Sequence, residues 1–252
     1  SVGYIDNEIE MLLYRTNIYP KKKKIVYNNL EEIEEQPEYT TFSIDPEGCQ
    51  DIDDALHYTE LSDGIEIGIH IANVARFIKN IDTNIYSSIY LDDSQFNMLS
   101  EKHSFNLCSL LGNTKRRALS LILFYNKNYE LESHKFKESI IYNNAFSYAS
   151  ADKINLSKLD SLNSIQKTIK NLFEFTKVIN KNKTINATNM IEHYMLLYNR
   201  ITASVLYNYN KDTILRTHEL KSIVKNDDSI IGKYLNKCNQ NAATYKINPE
   251  KT

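Results

Sequence analysis

The sequence predicts an α+β fold in which a mixed, largely antiparallel sheet over about residues 40–145 is covered by long helices over about residues 155–240. In the first region apolar and polar residues alternate, which is the period of a half-buried strand. In the second region apolar residues recur three and four positions apart, which is the period of a helix with one buried face. Hydrophobic residues make up 42% of the 252 residues, which is enough to bury a full core.

The segments of the sheet are predicted in chain order from this alternation. Residues 1–40 carry a basic run, Lys21–Lys24, and an acidic stretch, Glu31–Glu35, and predict a helical or irregular leading segment. The β pattern begins at TTFSI and is clearest in GIEIGIHIANV, where isoleucine occupies every second position. RALSLILFYN (117–126) and YELESHKFKESIIY (129–142) predict two more strands, joined by the polar turn NKN.

The helical pattern follows without an internal repeat. SKLDSLNSIQKTIKNLFEFTKVI and TNMIEHYMLLYNRITASVLYNY predict two long helices separated by the loop NKNKTINA, and SIIGKYLNKC predicts a shorter third helix. Tyr194, Met195 and Tyr198 recur at helical spacing, so we expect them to face the core.

Charge and cysteine usage limit the class of protein. The net charge of −2 gives no general attraction to nucleic acid, so any polyanion site must be a local basic patch. The cysteines Cys49, Cys108 and Cys238 lack zinc-type spacing and predict a reducing location, cytoplasmic or otherwise intracellular. No 18-residue apolar run or basic leader occurs, so we expect neither a membrane span nor a signal peptide.

The stretch FSIDPEGCQDIDDALH concentrates four carboxylates where the sheet begins: Asp45, Asp51, Asp53 and Asp54. Each close pair of like charges costs roughly 4 kcal/mol at an effective dielectric near 20. An EF-hand is excluded, because no register places Gly and Glu at the required positions. The spacing favours a site for Mg²⁺, or for two such ions ~3.5–4 Å apart, although on spacing alone a solvated loop stays open.

Five blocks of sequence resemble one family. D-P-x4-D-I-D-D-A resembles the active-site signature of the ribonuclease II / ribonuclease R family, the RNB catalytic domain. GIEIGIHIANVARFI, SSIYLDDSQFNMLSEKHSFNLCSLLGNTKRRALS, NMIEHYMLLYNRITA and LRTHE are similar to further family blocks, in the same order. The chain is thereby identified as the N-terminal two-thirds of an RNB domain, with residues 41–252 as the incomplete catalytic part.

The resemblance implies processive 3′→5′ hydrolysis of single-stranded RNA to nucleoside 5′-monophosphates with Mg²⁺, or with Mn²⁺. It implies that the four aspartates bind the metal, and that Tyr90 stacks on the 3′-terminal base. Arg117 matches the family arginine before A-L-S, which implies an RNA-facing or structural role. A larger RNA-processing assembly is a further implied partner. The sequence leaves the oligomeric state open.

The chain departs from the family pattern at several positions. Asn73, Asp92 and Ser100 replace the usual Asp, Pro and Pro. The T-S-P-I-R-R-Y-x-D-L block, whose arginine contacts the scissile phosphate, does not occur in these 252 residues. We therefore expect this portion alone to be inactive or nearly so. A catalytically inactive RNB-like RNA-binding or structural protein remains the alternative.

The other candidate residues have simpler explanations. His70 and His103 lie in family blocks, but zinc coordination is unfavoured without a second His or Cys close by in the sequence. Lys21–Lys24 could contact RNA phosphates or be a solvated tether.

Overall fold

The computed structural model describes residues 11, 24–28, 33–82, 88–90, 95–182, 184–217 and 244–247. The chain divides into two compact units, Ser1–Tyr194 and Met195–Thr252. In the described part of the chain, every helix is too short or too polar to cross a membrane.

The strands follow one another along the chain with few helices between them. In chain order they are β1 (Lys24–Tyr27), β2 (Tyr39–Asp45), β3 (Asp54–Glu60), β4 (Gly64–Ala72), β5 (Ile78–Asp82), β6 (Ile89–Tyr90), β7 (Gln95–Phe96), β8 (Lys115–Asn126), β9 (Leu131–Ser147), β10 (Ile214–Thr217) and β11 (Thr244–Ile247).

Five of these strands close into a barrel, in the order β2-β3-β4-β8-β9. β2 runs parallel to β9, and the other neighbouring pairs are antiparallel. The predicted mixed, largely antiparallel sheet is therefore confirmed. The predicted strands over 117–126 and 129–142 correspond to β8 and β9, and β9 continues five residues further.

Buried apolar side chains lie on both faces of the barrel wall. Inside, Ala55, Ala118 and Ile141 form an apolar cluster with Ile52 and Leu110. On the outer face, Leu121, Leu123 and Tyr125 of β8 are buried, whereas Leu119 is exposed, and the ring of Tyr125 meets Phe175 edge-on with 4.9 Å between ring centroids. Both faces therefore exclude water over residues 121–123, which explains why β8 reads as a nearly continuous apolar run.

The helices are α1 (Val74–Phe77), α2 (Tyr148–Leu156), α3 (Ser164–Ile179) and α4 (Ala187–Tyr209), with a π-helical turn at His103–Leu107 and a 3₁₀ turn at Leu159–Ser161. α3 buries Ile169, Leu172 and Phe173. Its Thr176 hydroxyl hydrogen-bonds the hydroxyl of the fully buried Tyr194 at 2.9 Å. The two predicted long helices are α3 and α4, which confirms the α+β class.

The structure corrects the start of one predicted helix and contains one helix that the sequence did not predict. The first long helix begins at Ser164 and not near residue 157, because Asn163 caps it and shares a capping box with Gln166. α2 was not predicted. Its periodicity is weak, and its start depends on a reciprocal bond between Ser147 and Ser150 that apolar spacing does not reveal.

The predictions for the two ends of the chain have different outcomes. Residues 24–27 form β1, which pairs with β5, whereas the sequence predicted a helical or irregular segment there. The pairing partner lies more than fifty residues away, so local pattern could not indicate it. The predicted short helix over 229–238 lies outside the described residues. In the second unit, β10 and β11 pair antiparallel, and the buried Tyr198 and half-buried Met195 follow the predicted pattern.

Candidate active site

The four aspartates are carried by two neighbouring strands of the barrel and the loop between them. Asp45 is the last residue of β2, and Asp54 is the first residue of β3. The loop turns at Gly48, whose φ of 80° suits glycine, and the amide of Cys49 bonds the carbonyl of Pro46 at 3.1 Å. This tight turn returns the chain towards Asp45, so that residues 45, 51, 53 and 54 form one group, which we call the acidic cluster.

Burial, together with repulsion between neighbouring carboxylates, raises the pKa values of three aspartates of the acidic cluster. Burial, followed by the charges of Asp45 and Asp53, raises the pKa of Asp54 to about 7. Burial, opposed by a hydrogen bond from Ser43, and the charges of Asp53 and Asp51 raise the pKa of Asp45 to about 6. Burial and the charge of Asp51 also raise the pKa of Asp53. The structure therefore brings the predicted residues together, with negative charge that is poorly compensated.

One oxygen of the cluster is left without a partner. Asp45 Oδ2 is buried and accepts no hydrogen bond. Native proteins rarely leave a buried polar atom unpaired, and such atoms often mark functional sites. The Cys49 thiol donates to Asp51 Oδ1 at 3.4 Å, and burial raises the pKa of this thiol to about 11, so it remains protonated.

The donor chemistry of the cluster fits a hard divalent cation, but a complete ligand cage is not preformed. All four side chains offer oxygen, which Mg²⁺ and Mn²⁺ prefer. Repulsion between carboxylates adds to burial in raising the pKa values of Asp45, Asp53 and Asp54, and a bound cation would relieve that repulsion. Across the described residues, however, no three His, Cys, Asp or Glu side chains are arranged to hold a metal together. Magnesium commonly takes one or two carboxylates and completes its shell with water and substrate phosphate.

The family model of the RNB domain matches residues 31–186. The chain belongs to the RNB domain family.

Proteins with similar sequences include an exonuclease and a ribonuclease. The mouse exosome complex exonuclease RRP44 is 31% identical over 216 residues, covering 70% of this chain and 22% of that protein. Ribonuclease R 2 of Lactococcus lactis is 32% identical over 126 residues, covering 47% of this chain and 19% of that protein. The chain thus spans about a fifth of the length of these curated relatives.

Solved structures share the RNB fold. Mycoplasma genitalium RNase R in complex with ribose-methylated single-stranded RNA superposes with a TM-score of 0.64 at 21% identity, covering 84% of this chain and 45% of that one. Yeast Ssd1, described as a pseudonuclease, superposes with a TM-score of 0.63 at 14% identity, covering 82% of this chain and 34% of that one. At these identities the likeness concerns the fold alone, and it includes both a nuclease and a pseudonuclease.

Tyr148 lies beside the acidic cluster, and the sequence analysis did not single it out. It opens α2 directly after Ser147, which pairs with Asp45 across β2 and β9. Burial, followed by the charges of Asp45 and Asp54, raises the pKa of the Tyr148 phenol. The sequence signal was weak, because SYAS follows a long strand and the chain contains 18 tyrosines.

The two residues predicted to bind RNA are not joined to the acidic cluster by any described contact. Arg117 Nη2 pairs with Glu35 Oε2 at 3.4 Å. Tyr90 lies in β6, whose backbone pairs with Gln95, but its side chain is outside the described part of the structure. The RNA-binding roles of both residues stay predictions.

The two histidines in family blocks have different environments. Both ring nitrogens of His70 are hydrogen-bonded, at 2.8 Å to His57 and 2.7 Å to Ser120, so it is the satisfied polar residue that was expected. His103 Nδ1 bonds the Ser100 hydroxyl at 2.8 Å and the ring stacks on Tyr27, while its Nε2 is buried without a partner.

Proposed function

We propose that the protein carrying this chain is a 3′→5′ exoribonuclease that hydrolyses single-stranded RNA processively to nucleoside 5′-monophosphates. The observation that carries this proposal is the acidic cluster, which an RNB-family barrel holds together against its own repulsion. Because folds host many functions, the site and not the fold supports the activity. Named relatives with related sequences are an exosome exonuclease and ribonucleases R.

The cluster would hold Mg²⁺ or Mn²⁺ through Asp45, Asp51, Asp53 and Asp54. Such an ion lowers the pKa of bound water and stabilises charge on phosphate oxygens. The unpaired Oδ2 of Asp45 is free to act as a ligand, and the buried Asp54 gives up its proton when a cation replaces it. The phenol of Tyr148 remains protonated beside the carboxylates and can donate a hydrogen bond to a substrate oxygen.

Partners and location are part of the same proposal. Single-stranded RNA is the substrate, and participation in a larger RNA-processing assembly is supported by the relative named as a subunit of the exosome complex. The free thiols of Cys49 and Cys108 support a reducing intracellular location.

The test uses the protein at its full natural length with Mg²⁺ and single-stranded RNA labelled at its 5′ end. We expect a ladder that shortens from the 3′ end, with 5′-monophosphates released. Asp54→Asn should abolish turnover and leave RNA binding largely intact. Tyr90→Ala should change the size of the final product or weaken binding of short RNAs. Internal cleavage, or equal attack on a fully paired 3′ end, would contradict the proposal.

A second candidate is a catalytically inactive RNB-like protein that binds RNA. The likeness to yeast Ssd1, described as a pseudonuclease, shows that this fold also occurs in that protein, so the fold does not exclude the second candidate. Retention of all four aspartates favours the enzyme. The same assay separates them: RNA binding without a shortening ladder, in Mg²⁺ and in Mn²⁺, supports the inactive protein.

A further inference from the structure

Ile52 lies between two aspartates of the acidic cluster, and both of its backbone groups are bonded to a remote segment. Its amide donates to Ser109 Oγ at 2.9 Å, and its carbonyl accepts from the amide of Leu110 at 2.9 Å. Ile52, Ser109 and Leu110 are 3%, 1% and 1% exposed. These bonds are shielded from water, so they strongly restrict the position of the backbone between Asp51 and Asp53.

The remote segment, residues 106–110, is itself held by the barrel wall; we call it the clamp segment. Arg116 of β8 donates from Nε to the carbonyl of Ser109 at 2.8 Å and from Nη2 to Asn106 Oδ1 at 2.8 Å. A guanidinium holds two acceptors in a fixed geometry because it is planar and its donors are pre-organised. Arg116 therefore fixes the clamp segment at two points.

β9 fixes the other end of the clamp segment. Asn143 is fully buried and donates from Nδ2 to the carbonyl of Leu110 and to Ser43 Oγ. Ser43 in turn hydrogen-bonds the carboxylate of Asp45. One asparagine thus connects the clamp segment to the strand that carries Asp45.

These bonds oppose a definite force. The carboxylates of the cluster repel one another, and an unrestrained loop would relax by moving Asp51 and Asp53 away from Asp45. Ile52 is held by the clamp segment, and the carbonyl of Asp53 accepts from the amide of Ala72 at 2.9 Å. Any one of these three hydrogen bonds could belong to an ordinary core. Together, however, they hold the backbone of two adjacent residues, Ile52 and Asp53, which set the spacing of the carboxylates.

We propose that Ser109 and Arg116 are positioning residues that hold the acidic loop in register for metal binding. They touch neither substrate nor metal and act through the backbone of Ile52. The part of this inference that concerns metal rests on the proposed function. The restraint on the carboxylates does not.

The test compares Ser109→Ala with Ser109→Thr, which keeps a hydroxyl. In metal-free protein, ¹³C NMR of the aspartate carboxyls should show the titration midpoints of Asp45 and Asp54 about 0.5 pH unit lower in Ser109→Ala, because the carboxylates separate. Calorimetric titration with Mn²⁺ should show roughly tenfold weaker binding. Ser109→Thr should restore both measurements towards wild type.

Ser139→Ala is the matched control, because Ser139 is also a buried serine that hydrogen-bonds another side chain but lies outside the clamp segment. It should leave both measurements unchanged. A folded Ser109→Ala protein with wild-type carboxyl titration overturns the proposal.

Arg116→Lys provides a second route if Ser109→Ala does not fold, since it keeps the positive charge and cannot hold both acceptors. It should lower the same midpoints, and unchanged midpoints in this variant also overturn the proposal. If the wild-type protein binds no Mn²⁺, that result contradicts the proposed function. The NMR titration of the aspartates then tests the role of the clamp segment independently.

Discussion

Asp54 is buried beside other negative charges. This environment destabilises the folded protein, but it suits the proposed binding of a cation. The pKa of Asp54 is raised from 3.8 to about 7, so the folded state holds a proton that the unfolded state releases. The sign follows: this group lowers stability as pH rises from about 4 through 7, by at most a few kcal/mol. We therefore predict that Asp54→Asn, in the presence of a chelator, unfolds at a higher temperature than wild type at pH 7.

The increase should be several degrees at pH 7 and should shrink towards pH 4, because wild-type Asp54 is then protonated. Thermal unfolding followed by circular dichroism at both pH values measures it. Asp63→Asn, at an exposed position in the turn before β4, is the control and should change neither value. Equal unfolding temperatures of wild type and Asp54→Asn at pH 7 would show that the cluster is not under electrostatic stress.

Four buried or partly buried side chains and Ser139 form a chain of hydrogen bonds inside the barrel, which we call the histidine chain. His57 joins Glu66 at 3.2 Å and His70 at 2.8 Å, and His70 joins Ser120 at 2.7 Å. Ser120 continues the chain to Ser139. A single direction of donation, from Ser139 to Glu66, satisfies every bond with both rings neutral. Two fully protonated rings would place two N–H donors in one bond, so the pair can accept only one extra proton.

We predict from this arrangement that His70 resists protonation in the folded state. Burial, with the charges of His57 and Lys137, lowers the pKa of His70 well below its usual 6.5. The stabilisation that depends on a neutral His70 is fully present above about pH 6.5. It is lost as pH falls below that value, because the unfolded chain takes up a proton there and the folded chain does not. ¹⁵N NMR should show a neutral His70 ring with its proton on Nε2 at pH 7, and a His70 ring that is still neutral at pH 5.5. A His70 ring that is charged at pH 5.5 in folded protein would contradict this.

At the scale of elements, the start of α2 links a helix cap to the acidic cluster. Ser147 accepts from the amide of Ser150 at 3.2 Å, while pairing in register with Asp45. We predict that Ser147→Ala destabilises the protein by about 1 kcal/mol and also weakens Mn²⁺ binding, because the first turn carries Tyr148. Denaturant unfolding and calorimetry measure the two effects.

Asn163→Ala is the control for this cap. It removes the equivalent capping box from α3, so it should cost about as much stability, around 1 kcal/mol, and leave Mn²⁺ binding unchanged. If both variants weaken Mn²⁺ binding equally, the effect of Ser147 is general destabilisation and not local to the site.

The same elements show what the sequence could predict. The alternation in GIEIGIHIANV is local, and β4 spans Gly64–Ala72 as that pattern indicates. The spacing of the four aspartates was also local, so the candidate cluster could be named in advance. The clamp segment, the histidine chain and β1 each depend on partners that are distant in the sequence: Ile52 and Ser109 are 57 residues apart, His57 and His70 are 13 apart, and β1 pairs with β5. Such pairings are set by the tertiary fold, which no local period encodes.

At the scale of the whole molecule, membership in the RNB family fixes the architecture but not the activity. The same barrel occurs in an RNase R that was solved with RNA and in a protein described as a pseudonuclease. Because one fold occurs with both outcomes, the activity has to be argued from the site, which in this chain is the acidic cluster. Metal binding therefore tests the whole protein more directly than any further likeness of fold.

We predict that Mn²⁺ binding to the metal-free protein displaces protons, because Asp45 and Asp54 titrate near neutral pH. With pKa values of about 6 and about 7, the pair releases between about one and two protons at pH 6 and fewer than about one at pH 7. Apparent affinity should accordingly weaken as pH falls through this range. Calorimetric titration of MnCl₂ in two buffers with different ionisation enthalpies measures the release at each pH. Asp63→Asn should behave as wild type, whereas tight binding without proton release at pH 6 would place the metal away from Asp45 and Asp54.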